Sequence, residues 1–240
     1  MKRHHLFAAL LALTPTATLG NEPVAESLSY RAYIGGLPLG TLNLKIAMDE
    51  DRYQTEARFD IASLLRWVLD TDARASSGGR FADGTMVPNA FDYWVRDGKK
   101  ERNTEMTFDA EGNATEVLAA PAFRKRSYDV ALDEVRGAID PATAVALLSA
   151  PRDSACNVSM KIFDGRKLHR VTMAPSGGTA EAPKCSGRYE RLGGFKAKYM
   201  TPERRSYTFD AELQQIAPNR WRPYRVTAKT QFGNAIALLK

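Results

Sequence analysis

Histidine and cysteine are scarce in this sequence. Of three histidines, His4 and His5 lie near the start, so His169 is the only one beyond the first twenty residues. A Ser-His-Asp triad or a multi-histidine metal site would have to be built around that one residue. The chain also has no His-Glu-x-x-His, Gly-x-Ser-x-Gly or phosphate-cradling glycine pattern. We therefore predict no catalytic residue, no metal site and no cofactor, and a protein that is not an enzyme.

Long apolar runs are missing as well. Lys2 and Arg3 precede a short apolar run, and Thr18-Leu19-Gly20 places small residues before a cut. This order of basic, apolar and small segments is typical of a secretory signal, although an uncleaved amphipathic anchor remains an alternative. A membrane-spanning helix needs about 20 apolar residues, and no window reaches that. We predict a cleaved signal peptide over residues 1–20 and a periplasmic mature chain without a transmembrane segment.

The excess of positive charge is moderate. The formal net charge of +6 falls to +4 when Lys2 and Arg3 leave with the signal. The other basic residues are scattered, with acids between them, so we predict no nucleic-acid binding. A diffuse positive surface is still enough to attract an anionic envelope component such as a lipid or a polymer.

The two cysteines fit an oxidising compartment. Cys156 and Cys185 form an even pair, which closes in most exported chains. Their spacing is far from Cys-x-x-Cys, the arrangement that tunes thiolate reactivity. We predict a structural disulfide that closes a loop of about 30 residues and stabilises the fold by about 3.6 kcal/mol in the chain-entropy model.

Apolar residues recur with a period of two. Leu28 to Ile34 and Leu42 to Met48 alternate in polarity around the turn at Gly35–Pro38, which predicts two antiparallel strands. Tight turns between strands favour a meander that curls into a sandwich or an open barrel, and we assign residues 21–240 to one β domain. Further turn signals stand at 49–51, 77–79, 97–98, 111–113, 164–165 and 193–194.

Two segments interrupt the strands. Ile61 to Leu69 has apolar spacing that suits one or two helical turns or a buried strand entrance. Asp140 can cap a helix that begins at Pro141 and runs through 142–148. Ser176 to Thr179 loses the apolar pattern, so we predict an exposed loop spanned by the disulfide.

The Asp-Gly pair at 164–165 predicts a two-residue hairpin turn. Phe163 would then lie opposite Arg166, Met160 opposite His169, and Val158 opposite Val171. One face of the hairpin would carry Cys156, Val158, Met160, His169, Val171 and Met173. Because these neighbours are apolar, we interpret His169 as a packed or hydrogen-bonded core residue rather than a general base.

Two surface clusters could carry other functions. Acids crowd the turn 49–51, and Asp70 and Asp72 stand two apart, which leaves a carboxylate-dependent hydrolase open as a minor alternative. Trp221 and Tyr224 lie beside three arginines in a pattern that suits an interaction surface or an ordinary strand with cation–π contacts. The arginines are Arg220, Arg222 and Arg225.

Several motifs together resemble the bacterial envelope family called domain of unknown function 3108. They are the Tyr-Ile-Gly-Gly-Leu-Pro-Leu-Gly run at 33–40, Asp-Pro-Ala-Thr-Ala at 140–144, the hairpin at 163–169 between the cysteines, and Tyr189. The resemblance implies a mainly β protein whose strongly curved antiparallel sheet forms an open or incomplete β-barrel, with one or two short helices. It also implies that an aromatic residue often stands where His169 stands here, which further disfavours a general base.

Two functions from different classes follow. A concave apolar surface could bind or carry a lipid or another hydrophobic envelope component, which requires a cavity that Leu42, Leu44, Ile46 and Trp94 do not fill. Alternatively, a barrel closed by its own side chains could serve as a structural or interaction factor for envelope integrity.

Overall fold

The computed structural model describes residues 24–66, 70–82 and 85–240. The predicted signal peptide lies outside the described residues, as do residues 67–69 of the predicted helical segment. The part of that segment that is described contains the end of a strand, Ile61, followed by a single 3-10 turn at Ser63–Leu65. No described helix has the length and apolar character needed to cross a membrane.

Fourteen strands make up most of the described chain, and two short helices accompany them. The strands are β1 Val24–Ile34, β2 Leu37–Met48, β3 Arg52–Ile61, β4 Thr71–Ala82, β5 Thr85–Asp97, β6 Lys100–Phe108, β7 Ala114–Ala120, β8 Ala138–Ile139, β9 Val158–Phe163, β10 Leu168–Gly178, β11 Pro183–Gly193, β12 Ser206–Ala217, β13 Arg220–Thr230 and β14 Gly233–Leu239. The helices are α1 Pro141–Leu147 and α2 Pro202–Arg205.

The strands form one sheet that curls into a nearly closed barrel. Its order runs from β7 back to β1, continues to β14 and then runs back to β8, so the seam lies between β7 and β8. Every neighbouring pair is antiparallel except β8 with β9. The predicted fold class, a strongly curved antiparallel sheet forming an incomplete barrel, is confirmed.

The tip of the β9–β10 hairpin bridges the seam. A Cβ atom added to Gly165 would lie 2.8 Å from Thr104 Cγ2 and 3.3 Å from Val117 Cγ1, so the tip packs directly on β6 and β7. Gly165 also has a φ of 87°, a conformation that glycine adopts at no steric cost. Glycine therefore serves both the turn and the close approach at this position.

The predicted β1–β2 pair is confirmed. Leu28 lies opposite Leu44, and both side chains are buried, whereas Ser27 and Lys45 on the other face are exposed. Residues that lie opposite each other in adjacent strands share a face of the sheet. The alternation therefore identifies the inward-facing positions throughout the barrel.

Helix α1 lies inside the barrel, where the sequence predicted a capped helix. Asp140 Oδ1 accepts the backbone N–H groups of Ala142 and Thr143, each at 2.9 Å, and Pro141 occupies the first turn. Three apolar clusters surround the helix. The first contains Leu44, Ile46 and Ala146, the second Phe91, Met106 and Ala142, and the third Ala144, Cys156 and Cys185.

Two predicted turns or loops are strands. Ser77–Gly79 lies within β4, where the missing side chain at Gly79 admits Val87 O to 2.2 Å from an ideal Cβ position. The segment from Ser176 to Gly178 is exposed as predicted, but it continues β10, because Gly177 and Gly178 pair with Lys184 and Pro183. Glycine in both places permits close backbone pairing rather than a reversal of the chain.

The predicted register of the β9–β10 hairpin is wrong by two residues. Phe163 lies opposite Leu168, Met160 opposite Val171, and Val158 opposite Met173. The reason is that Asp164 Oδ1 accepts the N–H groups of Arg166 and Lys167, at 2.9 and 2.7 Å, which centres the turn on Gly165 and Arg166. Because the shift is an even number, the predicted set of residues on one face is preserved.

Candidate functional site

Inward-facing residues are fully buried in one half of the barrel interior and only partly buried in the other. We call the second region the hollow half and define it by seven inward-facing residues that are only partly buried: Ala32, Phe59, Ala73, Val95, Ala228, Ala235 and Ala237. Ala32 lies opposite Ala237, Phe59 opposite Ala73, and Ala228 opposite Ala235. Within the described part of the chain, none of the seven packs against the three apolar clusters around α1.

The change occurs along single strands. Leu44 on β2 is 3% exposed and packs in the first cluster, whereas Leu42, two residues away on the same face, is only partly buried. Val145 and Leu147 of α1 pack against that cluster and fill the barrel on its side. Five of the seven residues of the hollow half are alanines, whose short side chains extend little into the interior beyond the helix.

Of the four residues expected to border a cavity, Leu44 and Ile46 are buried in the first cluster and Leu42 packs against it. Trp94 faces the outside of the barrel, because it lies opposite the exposed Arg74, whose Cζ is 5.2 Å from the indole ring centre. The partly buried inward face therefore lies at residues other than the four predicted, and most of them are alanines.

A polar and aromatic group centred on His169 continues the inward face. Tyr207 lies opposite Tyr189 and stands two residues from Phe209, which lies opposite Ala228 of the hollow half. His169 Nδ1 and the Tyr189 hydroxyl share a hydrogen bond of 2.5 Å, and His169 Nε2 is 3.7 Å from Asp164 Oδ2. The rings of His169 and Phe195 are 5.3 Å apart. His169 is thus a half-buried residue with partners for both ring nitrogens.

The ionisation of this group follows from its neighbours. Burial raises the pKa of Asp164, but the contact with His169 and the N–H and charge of Lys167 outweigh it, so the pKa is lowered. Burial raises the pKa of Tyr189, although the nearby Arg191 acts in the opposite direction. At neutral pH these effects favour an ionised Asp164 and a neutral Tyr189.

Arg191 lies among aromatic rings beside Tyr189. Its Cζ atom is 5.2 Å from the ring centre of Phe195, 5.3 Å from that of Tyr199 and 5.1 Å from that of Tyr207. Its guanidinium also donates to Arg204 O at 2.6 Å and to Tyr199 O at 3.3 Å. These contacts fix the connection between β11 and β12 to the rim of the sheet.

Asp140 contrasts with Asp164. Its Oδ2 accepts hydrogen bonds from the hydroxyls of Ser77 at 2.8 Å and Thr143 at 2.6 Å, and Thr143 Oγ1 lies 2.7 Å from the Tyr53 hydroxyl. Burial raises the pKa of Asp140, and the surrounding hydrogen bonds only partly oppose this. Because the side chains bonded to Asp140 are neutral, unlike those beside Asp164, we interpret this network as a structural support for α1.

The predicted disulfide joins Cys156 and Cys185, whose Cα atoms are 5.4 Å apart. Cys185 lies on β11, opposite Ala211 of β12, and both sulfur-bearing residues belong to the third cluster. The bridge therefore secures the chain before β9 to the packed half of the interior.

The five residues of the predicted interaction surface have different surroundings. Trp221 packs against the third cluster and its Nε1 donates to Ala180 O at 3.1 Å. Arg220 forms an ion pair with Glu26, and both side chains are largely buried. Tyr224 is exposed, Arg222 is half-buried, and Arg225 Nε is 3.9 Å from Glu212. A role of these residues in partner binding stays a prediction.

The carboxylates of the minor hydrolase hypothesis have local partners. Asp49 Oδ1 accepts the N–H groups of Asp51 at 3.0 Å and Arg52 at 2.6 Å, as expected of a turn. Asp70 and Asp72 both contact the Arg96 guanidinium. Among the described residues no three His, Cys, Asp or Glu side chains are grouped as a metal ion would require. Catalysis by these carboxylates stays a minor hypothesis.

The fold is barrel-like: a curved antiparallel sheet with a helix in one half of its interior and small inward-facing residues in the other. The model of the family described as protein of unknown function (DUF3108) matches residues 29–240, and the chain belongs to this family. The expected resemblance is confirmed.

A solved structure is also similar to the chain. It is a beta-barrel-like protein of domain of unknown function DUF1849 from Brucella abortus, with 13% identity and a TM-score of 0.45. The match covers 90% of this chain and 97% of that one. No curated protein matches the chain.

Sequence reasoning missed the hollow half and the basic connection after β11. The signal for the first was present as alanines at strand positions of period two, among them 73 and 75, and 235 and 237. Small residues in alternate positions are also common in tightly packed sheets. Only the position of α1 shows whether such small residues belong to the hollow half or to a tightly packed part of the sheet.

Proposed function

We propose that the protein is an exported, non-catalytic binding or carrier protein that holds a lipid or another hydrophobic envelope component in the hollow half. One observation carries this proposal. Inward-facing apolar residues that would be buried in a packed barrel remain partly exposed there, although other inward-facing residues of β1, β3 and β5, among them Leu28, Tyr53 and Phe91, are buried in the clusters around α1. Removing apolar surface of this kind from water lowers the free energy, which favours the binding of an apolar ligand.

The chemistry of the wall supports an apolar ligand with a polar end. Alanines, Phe59 and Val95 offer no hydrogen bonds, so they suit a hydrocarbon chain. Tyr189 and Arg191 stand further along the same face and could meet a polar group. Ligand sites commonly combine an apolar wall with a few polar groups that fix orientation.

Native mass spectrometry with solvent extraction tests the proposal. Wild-type protein purified under non-reducing conditions should carry a hydrophobic molecule at close to one equivalent. Ala73→Trp should reduce this occupancy at least about tenfold, because the indole occupies space that the ligand needs. Lys45→Trp is the matched control, since Lys45 faces outward on the neighbouring part of the sheet.

A wild-type protein that is empty and does not take up a fluorescent long-chain fatty acid would contradict the carrier role. That result would favour the alternative, a structural or interaction factor for envelope integrity. Crosslinking of the full chain in cells would then be the next measurement.

The export proposal has its own test. We expect cell fractionation to place the protein in the periplasm and N-terminal sequencing to begin at about Asn21, because residues 1–20 have the signal pattern. A mature protein that retains Met1 and fractionates with the cytoplasm would show that the chain is not exported.

A further inference from the structure

The connection between β11 and β12, residues 194–205, has an unusual composition for a loop beside an apolar hollow. It contains four basic residues and one acid, Glu203. The basic residues are Lys196, Lys198, Arg204 and Arg205. We call this segment together with Tyr207 the basic rim.

The basic rim is open to solvent. Residues 196–199 and 201–205 are all exposed, and the exposed fractions of Tyr199 and Tyr207 are 38% and 41%. Both tyrosines thus present part of an apolar ring to solvent together with a polar hydroxyl group. Tyrosine is also enriched where one side of a residue is apolar and the other is wet.

Its positive charge is only partly neutralised. Arg205 Nε is 3.3 Å from Glu190, which also pairs with Arg170. Within the described ranges, no carboxylate lies within 4.0 Å of the ammonium group of Lys196 or Lys198. Lys198 Nζ instead lies 5.0 Å from the ring centre of Tyr199. The rim therefore offers lysines and tyrosines side by side.

The rim is also held in place at the hollow half. Arg205 Nε donates to Arg191 O at 3.3 Å, and Arg191 in turn binds the carbonyl groups of Tyr199 and Arg204. Tyr207 lies on the inward face that includes Phe209 and Ala228. A surface that binds the basic rim would thus lie next to the hollow half.

We propose that the basic rim docks the protein onto the anionic surface of a membrane, with the lysines at phosphate head groups and Tyr199 and Tyr207 at the interface. This rests on the proposed function, because it places the hollow half where an apolar ligand enters or leaves the bilayer. Basic residues near such a surface each strengthen binding about fivefold, and interfacial aromatics add to it.

Vesicle co-sedimentation tests the docking. Wild-type protein should bind vesicles of phosphatidylglycerol and phosphatidylcholine, bind pure phosphatidylcholine weakly, and lose affinity as salt increases. The double variant K196E/K198E should bind the anionic vesicles at least about 25-fold more weakly. The matched control is R52E/K184E, which makes the same charge change at exposed positions outside the rim.

Tyr199→Ala distinguishes a membrane from another acidic partner. It should weaken vesicle binding about threefold or more and leave binding to dissolved polyglutamate unchanged. Equal binding of polyglutamate and vesicles, with no effect of Tyr199→Ala on either, would overturn membrane docking in favour of an acidic polymer.

Ligand occupancy separates the two proposals. K196E/K198E should retain the hydrophobic molecule seen by native mass spectrometry, because the hollow half is unaltered. Ala73→Trp should lose the molecule and still bind vesicles. If both rim and control variants bind anionic vesicles like the wild type, the docking proposal fails while ligand binding in the hollow half is unaffected.

Discussion

The two halves of the barrel interior are built from the same strands and differ in what faces inward. Leu28, Leu44 and Ile46 are packed around α1, while Ala32 on β1 and Ala237 on β14 are half-exposed. The difference shows that a curved sheet does not by itself make a core. Side-chain volume at inward positions and the reach of one short helix decide which half is filled.

A second comparison concerns two carboxylates. Asp140 supports α1 among neutral hydroxyl groups, whereas Asp164, in the turn between β9 and β10, has His169 and Lys167 near it. Both carboxylates also accept two backbone N–H groups, so both shape local structure. Their opposite pKa shifts provide a way to measure the two environments separately.

Removing the disulfide should have the largest effect on the packed half. We expect C156S/C185S to lower the free energy of unfolding by about 3.6 kcal/mol, because the loop between the cysteines is no longer constrained in the unfolded chain. Urea denaturation measures the change, and reduced wild type is the control. A loss below about 1 kcal/mol would mean that the packed half does not depend on the bridge.

A matched pair on β2 tests where the tight packing of the packed half ends. Leu44→Ala should cost about 3 kcal/mol, since it leaves a cavity in the first cluster, and Leu42→Ala should cost less than half as much. Both changes remove the same atoms from the same strand and face, so each controls for the other. Equal losses in urea denaturation would show that β2 is packed as tightly at Leu42, at the edge of the first cluster, as at Leu44 within it.

Disrupting the Asp140 hydrogen-bond network should cause the next largest loss of stability. Asp140→Ala removes the helix cap and leaves the Ser77 and Thr143 hydroxyls without their acceptor, which should cost about 2 kcal/mol. Asp133→Ala, a change at an exposed acid nearby, should cost less than about 0.5 kcal/mol. Thermal unfolding of the two variants side by side checks this, and similar melting temperatures would contradict a supporting role for Asp140.

Replacing an alanine by leucine should destabilise the packed half more than the hollow half. Ala144→Leu forces extra volume into the third cluster and should destabilise by about 1.5 kcal/mol. Ala73→Leu should change stability by less than about 0.5 kcal/mol, because the hollow half has room for the added atoms. If Ala73→Leu is the more costly of the two, the hollow does not exist in solution.

The pH dependence should reveal the smallest differences. The pKa of Asp140 is raised in the fold, so its contribution to stability is present below its unfolded pKa of about 3.9 and is lost as pH rises through the folded value. The pKa of Asp164 is lowered, so its contribution is present above about 3.9 and is lost as pH falls through the folded value. Acidification should therefore favour wild type over Asp140→Asn and disfavour wild type relative to Asp164→Asn.

Urea denaturation at several pH values between about 3 and 7 measures both differences. His169→Phe is an added control, because it removes one partner of Asp164 and leaves Asp140 untouched. Parallel pH profiles for the two asparagine variants would contradict the assignment of opposite environments.

Much of the fold was predictable from local patterns. The β1–β2 pair, the capped helix at 141–147 and the cysteine pair each depend on residues close in sequence or on simple pairing rules. The register of the β9–β10 hairpin was not predictable from the Asp-Gly signal. The Asp164 side chain accepts hydrogen bonds from two backbone N–H groups, and the turn is therefore centred one residue later than predicted. The glycine at 79 was misread because the close approach of β5 requires it as much as a turn would.

The sequence by itself determined the class of the protein: alternating polarity specifies strands, the Asp140-Pro141 pair starts a helix, and the family follows from motifs over most of the chain. The tertiary structure alone decided where α1 ends within the barrel and hence which alanines face a hollow and which face a packed helix. It also decided that the basic connection 194–205 stands beside that hollow. These facts depend on contacts between residues far apart in the chain, and local periodicity carries no information about them.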